Sequence, residues 1–93
     1  MSTIFEGEAS IRLCAWYPGH EPIEQQTGSV RVLVCRHSSG LIDVRYYGAL
    51  STLHGANTVK VEMASGFTIE GRLEQFAINA NGGWFSLIVE RFS

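Results

Sequence analysis

The sequence predicts an all-β domain of about six mainly antiparallel strands. They curl into a small sheet or partly open barrel, with room for one short helix near residues 49–55. Three observations carry this expectation. First, apolar and polar side chains alternate over long stretches. From Phe5 to Tyr17 the odd positions read Phe5, Gly7, Ala9, Ile11, Leu13, Ala15 and Tyr17, while the even positions begin Glu6, Glu8, Ser10 and Arg12. A period of two turns one face of a strand inward. Second, turn-forming clusters punctuate the pattern: Pro18-Gly19, Ser38-Ser39-Gly40, Ser65-Gly66 and Asn79-Ala80-Asn81-Gly82-Gly83. Third, no segment repeats its apolar residues at a convincing helical period.

The elements follow in order. The first strand covers about 3–17, and a polar, acidic loop follows over 18–28. The second strand, about 29–37, sets Val30, Val32 and Val34 on one face against Arg31, Leu33, Cys35 and His37 on the other. A tight turn leads to the third strand, 41–47, with Ile42, Val44 and Tyr46 opposed to Asp43, Arg45 and Tyr47. Residues 49–57 are either one or two helical turns closed by Gly55 or an irregular crossover; so short a helix holds only if packing supports it. The fourth strand, 58–64, alternates Val59, Val61 and Met63 with Lys60 and Glu62. The fifth begins with Phe67, Ile69, Gly71 and Leu73 on one face. The phase then slips, so that Phe76 and Ile78 are even. Such a slip marks a bulge or bend near Gln75, and with Gly71 it suits the sharp corner of a small barrel. The last strand, 84–92, is apolar on both faces, Phe85, Leu87 and Val89 against Trp84, Ile88 and Phe92. It is therefore expected to be central or covered on both sides.

Ninety-three residues form one domain. An apolar fraction of 45% argues against disorder. Seven Lys and Arg against nine Asp and Glu give a net charge of −2, which disfavours indiscriminate binding to free DNA or to an anionic membrane. With no basic leader and no long apolar run, a cytoplasmic protein is expected. Cys14 and Cys35 read as buried reduced thiols, or as a bridge should the first two strands be neighbours. No cofactor and no metal site is expected, since neither cysteine belongs to a ligand-spaced pair.

Six of the seven basic side chains are Arg, whose planar fork grips carboxylate or phosphate and stacks on rings. Residues 29–47 carry Arg31, Arg36 and Arg45 against Asp43, a local +2, while 1–28 carry Arg12 against Glu6, Glu8, Glu21 and Glu24, a local −3. Two partner-binding surfaces follow. One is a basic hairpin face of Arg31, Arg36, His37, Arg45 and Tyr47, in the style of protein hot spots and single-strand nucleic-acid platforms. The other is the acidic loop with Glu21 and Glu24, rooted by Trp16 and Tyr17. A solvated sheet face with cross-strand pairs is the plainer reading of the hairpin, and capping of the core that of the two aromatics. Nucleotide-binding, hydrolase and metalloprotease signatures are missing, so no catalytic residue is assigned. Cys35 and His37, two apart on one face, are the best thiol–base pair an enzyme reading has.

Residues 59–81 resemble the first sequence motif of the Sm/Lsm family of RNA-binding small barrels. Val59, Val61 and Met63 match its alternating hydrophobics, Gly66 and Gly71 its glycine spacing, and Leu73, Phe76 and Asn81 its later offsets. Ser65 and Ala77 stand where that motif carries Asp, and its second motif has no counterpart. The resemblance implies an RNA contact at Asn81. The chain as a whole, from Met1-Ser2-Thr3-Ile4-Phe5-Glu6-Gly7-Glu8 on, resembles the small acidic phage anti-CRISPR proteins of the type I-F group, which share no defining motif. That likeness implies a non-enzymatic inhibitor in the host bacterial cytoplasm. Such an inhibitor docks on a ribonucleoprotein of the Cascade/Csy type, contacts its guide RNA in some cases, and blocks target DNA binding. A small-barrel binder of single-stranded RNA or DNA is the alternative.

Overall fold

Six strands form where the alternation lies in the computed structural model, which describes residues 2–38, 40–50, 55–79 and 81–93. They are β1 (Ser2–Ala15), β2 (Ile23–Ser38), β3 (Leu41–Tyr47), β4 (Thr58–Met63), β5 (Thr68–Asn79) and β6 (Gly82–Phe92). All pairings are antiparallel, and the order β1-β2-β3-β6-β5-β4 closes on itself through β1 and β4. The sheet is thus a fully closed barrel rather than a partly open one. Residues 51–54 of the 49–57 helix candidate lie outside the described residues; of the rest, Gly55 is in a turn and Ala49, Leu50, Ala56 and Asn57 are irregular.

Parity sets what is inside. Ile11 and Leu13, Val32 and Val34, Val44 and Tyr46, Val59 and Val61, Ile69, and Phe85 and Leu87 are all buried, with Leu50 joining the same cluster from beyond β3. Each strand gives alternate residues to one core, and closure removes the exposed edges that an open sheet must protect.

Among the described residues the paired strands carry five register irregularities, and besides those between Thr3 and Phe5 and between Arg36 and Ser38 three bend the barrel. Between Ala9 and Ile11 of β1, the facing register jumps from Val30 to Thr27, leaving Gly28 and Ser29 opposite Ser10. Ser29 takes φ of 52°, a left-handed conformation that non-glycine residues seldom adopt. This bulge reverses parity, so 23–27 belongs to β2 although it reads as loop. A second jump between Leu73 and Gln75 of β5 is the slip expected there. A third, between Glu70 and Gly71, brings Gly71 hard against the Ile88 backbone of β6.

Asn57 holds the crossover at the barrel end. Its side chain accepts from the Trp16 N–H (3.0 Å) and donates to the Trp16 carbonyl (2.7 Å), while its own N–H donates to the Cys14 carbonyl (2.9 Å).

Tyr46 packs on Phe85 with ring centroids 6.2 Å apart, yet its buried hydroxyl has no hydrogen-bond partner among the described residues. An unpaired buried hydroxyl costs about 1–3 kcal/mol. Tyr46→Phe is therefore expected to be neutral or to raise the melting temperature by a few degrees. Burial also pushes the phenol above its ordinary value. A raised pKa means that the native state keeps its proton longer than the unfolded chain. Stability is then fully present below the ordinary tyrosine range, about 10, and falls as pH climbs through the higher native value. Urea melts at pH 9 and pH 11 should show a steeper alkaline loss in the wild type than in Tyr46→Phe; equal losses would contradict this assignment.

Candidate functional site

The outer face of β2, β3 and β6 presents the residues that alternate with the core. Across these strands, Arg31 pairs with Tyr47, and Leu33, Arg45 and Trp84 form one row. Cys35, Asp43 and Ser86 form the next row. A pocket of about 330 Å³ opens among Leu33, Cys35, Asp43, Val44, Arg45 and Trp84. A shallower depression of about 280 Å³ shares Arg45 and Trp84 with it and reaches Tyr47 and Asn81. Trp84 remains 39% exposed and Tyr47 50%. β6 is bonded on both sides, to β3 and to β5, so it is central, one of the two expectations for it; on its outer face Trp84 stays exposed while Ser86 is buried.

Backbone geometry explains the convergence. The Gly48 N–H donates to the Asn81 carbonyl (3.1 Å), fixing the β5–β6 turn beside the end of β3. A Cβ at Gly82 would meet the Tyr46 carbonyl oxygen at 2.7 Å, so glycine permits the approach of β6 to β3.

The charges on this face are unequally matched. Arg31 lies 3.8 Å from Glu6, and His37 Nδ1 lies 3.3 Å from Asp43. Among the described residues Arg45 forms no ion pair, so it is the unmatched cation at the pocket rim.

The structure thus gathers Arg31, Arg45 and Tyr47 from the hairpin and adds Asn81, while His37 sits at the register jump beyond the Cys35–Asp43 row, turned to Asp43. Arg36 does not belong with them. It pairs in register with the inward Ile42 and lines a separate depression with Ser38, Gly40, Val89 and Phe92. The acidic loop also divides. Glu21 is an exposed loop residue, whereas Glu24 lies within β2 opposite Cys14. Glu24 approaches Arg12 to 3.8 Å; Arg12 also approaches Glu62 to 3.8 Å and donates to Gln26 at 3.2 Å. Trp16 is 59% exposed and does not cap the core. The Tyr17 hydroxyl donates to the Gly55 carbonyl, which ties the loop root to the crossover.

Cys14 and Cys35 are both free and half-buried. The first two strands are neighbours, but Cys35 pairs with Thr3 and Cys14 with Glu24, at opposite ends of β1, so no bridge can join them. Burial, reinforced by Glu24 and Glu70, pushes the Cys14 thiol up. Cys35 Sγ lies 4.0 Å from Thr3 Oγ1, while His37 is held by Asp43. Among the described residues no three His, Cys, Asp or Glu side chains gather as metal ligands, and no helix is long and apolar enough to cross a membrane.

Trp84 and Leu33 are the site residues that the sequence reading did not assign. The signal was present, since parity over 84–92 and 29–37 puts both outward; the strand register that aligns them with Arg45 was missing. No family model matches the chain, and no curated protein or solved structure matches it.

Proposed function

We propose that this is a non-enzymatic binding protein that docks through the outer face of β2, β3 and β6. The carrying observation is the row of Leu33, Arg45 and Trp84 around an apolar pocket, with Tyr47 adjoining. Trp, Tyr and Arg dominate the energetics of protein interfaces when they cluster around a site that loses its water. The partner class comes from the whole-chain resemblance to anti-CRISPR proteins: an RNA-guided surveillance complex of the Cascade/Csy type, kept from its target DNA by surface occupation. In this reading the exposed Glu21 faces partner Lys or Arg, and Arg31 and Arg45 face acidic groups of the partner. The test is to mix the purified protein with a Csy-type complex on a sizing column and to measure target DNA binding. Co-elution and loss of DNA binding are expected, both abolished by Arg45→Glu. Separate elution with DNA binding unaffected discards the proposal.

One observation favours a second reading, a small-barrel binder of single-stranded RNA. Asn81, singled out by the Sm-like motif, lines the same depression as Arg45 and Tyr47. That reading requires affinity for a short oligouridylate that falls steeply with salt; the docking reading requires little.

A further inference from the structure

We infer that the pocket beside Trp84 selects an extended protein segment in which a large apolar side chain lies one or two residues from a carboxylate. The inference rests on the docking proposal and names the chemistry that this face accepts.

Four features argue for it. The apolar wall comes from the side chains of Leu33 and Trp84, and the volume of about 330 Å³ stands near the lower end of pockets that bury a ligand. That suits one anchoring side chain and its adjoining backbone. The rim has polarity. Asp43, beside His37, occupies the Cys35 end, and Arg45, without an ion pair among the described residues, occupies the Tyr47 end. An anchored segment therefore places its carboxylate toward Arg45 and its N–H donors toward Asp43. Position in the barrel also restricts the mode of docking. β3 is bonded on both sides, to β2 and to β6, so no strand can be added there and the segment is read by side chains across the face. Finally, phosphate tracking calls for several cations along a path. Here Asp43 shares the pocket lining with Arg45 and Glu6 lies beside Arg31, which favours a single carboxylate over a polyanion.

The test uses the whole protein and an unbiased probe. Hexapeptides randomised at every position and displayed on phage are selected on the wild type, with a folded Trp84→Ala/Arg45→Gln variant as the counter-target. The expected pool carries Leu, Ile or Phe with Asp or Glu one or two positions away. Its best member, as a free peptide, should change Trp84 fluorescence in a Trp16→Phe background. Its affinity should fall at least tenfold in Arg45→Gln, and equally when its acid is replaced by the amide. No enrichment over the counter-target, or a neutral or basic consensus, overturns the inference. So does displacement of the peptide by hexauridylate in a salt-dependent manner, which assigns the face to RNA. Dimerisation in sedimentation that Trp84→Ala abolishes also overturns it, assigning the face to a second copy. Failure of a Csy-type complex to co-elute while the acidic consensus still emerges removes the partner class alone, so the two failures are separable.

Discussion

Gly71→Ala is expected to abolish the cooperative fold, or to lower the melting temperature by roughly 15–25 °C. A Cβ at this position would collide with the carbonyl oxygen of Ile88 and lie 2.8 Å from its carbonyl carbon. Both atoms are backbone, so no rotamer change relieves the clash. The residue lies beside the register jump in β5, paired with Val59 of β4 and Val89 of β6. Moving it therefore disturbs two seams at once. A cost on the order of 3–5 kcal/mol is a large share of the 5–15 kcal/mol that holds a domain together. Gly66→Ala is the control. Its φ of 101° strains an alanine, but nothing lies within 4 Å of the added carbon, and a loss of about 1 kcal/mol is expected. Thermal melts of the two variants decide the matter; a Gly71→Ala transition within a few degrees of wild type refutes the close approach of β5 to β6.

Trp84→Ala should weaken partner binding at least 30-fold, equivalent to about 2 kcal/mol. Its ring is 39% exposed and outside the core cluster, so stability should fall by roughly 1 kcal/mol or less. Phe92→Ala provides the contrast. That ring is also exposed, but it packs on Phe67 at 5.8 Å, away from the pocket. Binding should survive its removal. Titration of both variants against the co-eluting partner, beside their melts, separates docking from folding. Equal binding by Trp84→Ala and wild type would remove the face from the interface.

Much of the architecture was legible because a two-residue period is a local property. Val30, Val32 and Val34, Ile42, Val44 and Tyr46, and Val59, Val61 and Met63 are inward as their alternation requires. The bend near Gln75 was legible for the same reason: a slip of one residue leaves a visible break in phase. The start of β2 was not. Gly28 and Ser29 form a bulge whose two residues face one, and the segment before it is polar, so 23–27 lacked the apolar rhythm that announces a strand. Glu24 consequently reads as a loop acid, whereas it is a strand residue beside Arg12. Closure was illegible because pairs such as Ala9 with Met63 depend on register between distant segments. The candidate site was half legible. Arg31, Arg45 and Tyr47 share a parity that the chain displays. Trp84 and Asn81 join them only through the pairing of β3 with β6. Arg36, by contrast, was already on the wrong parity.

Closure of the barrel also governs how fast the molecule is made. The β2–β3, β4–β5 and β5–β6 pairings link strands adjacent in the chain, so they can nucleate early. Two seams, β3 with β6 and β1 with β4, join strands with two others between them in sequence, and the second spans more of the chain, Ala9–Met63 against Leu41–Ile88 at the widest. Bringing such ends together costs entropy before any pairing rewards it, and chains dominated by such contacts acquire their native state over milliseconds to seconds. The β1–β4 seam should therefore form last, and until it does both strands offer unsatisfied amides to neighbouring chains on the ribosome or in the refolding tube.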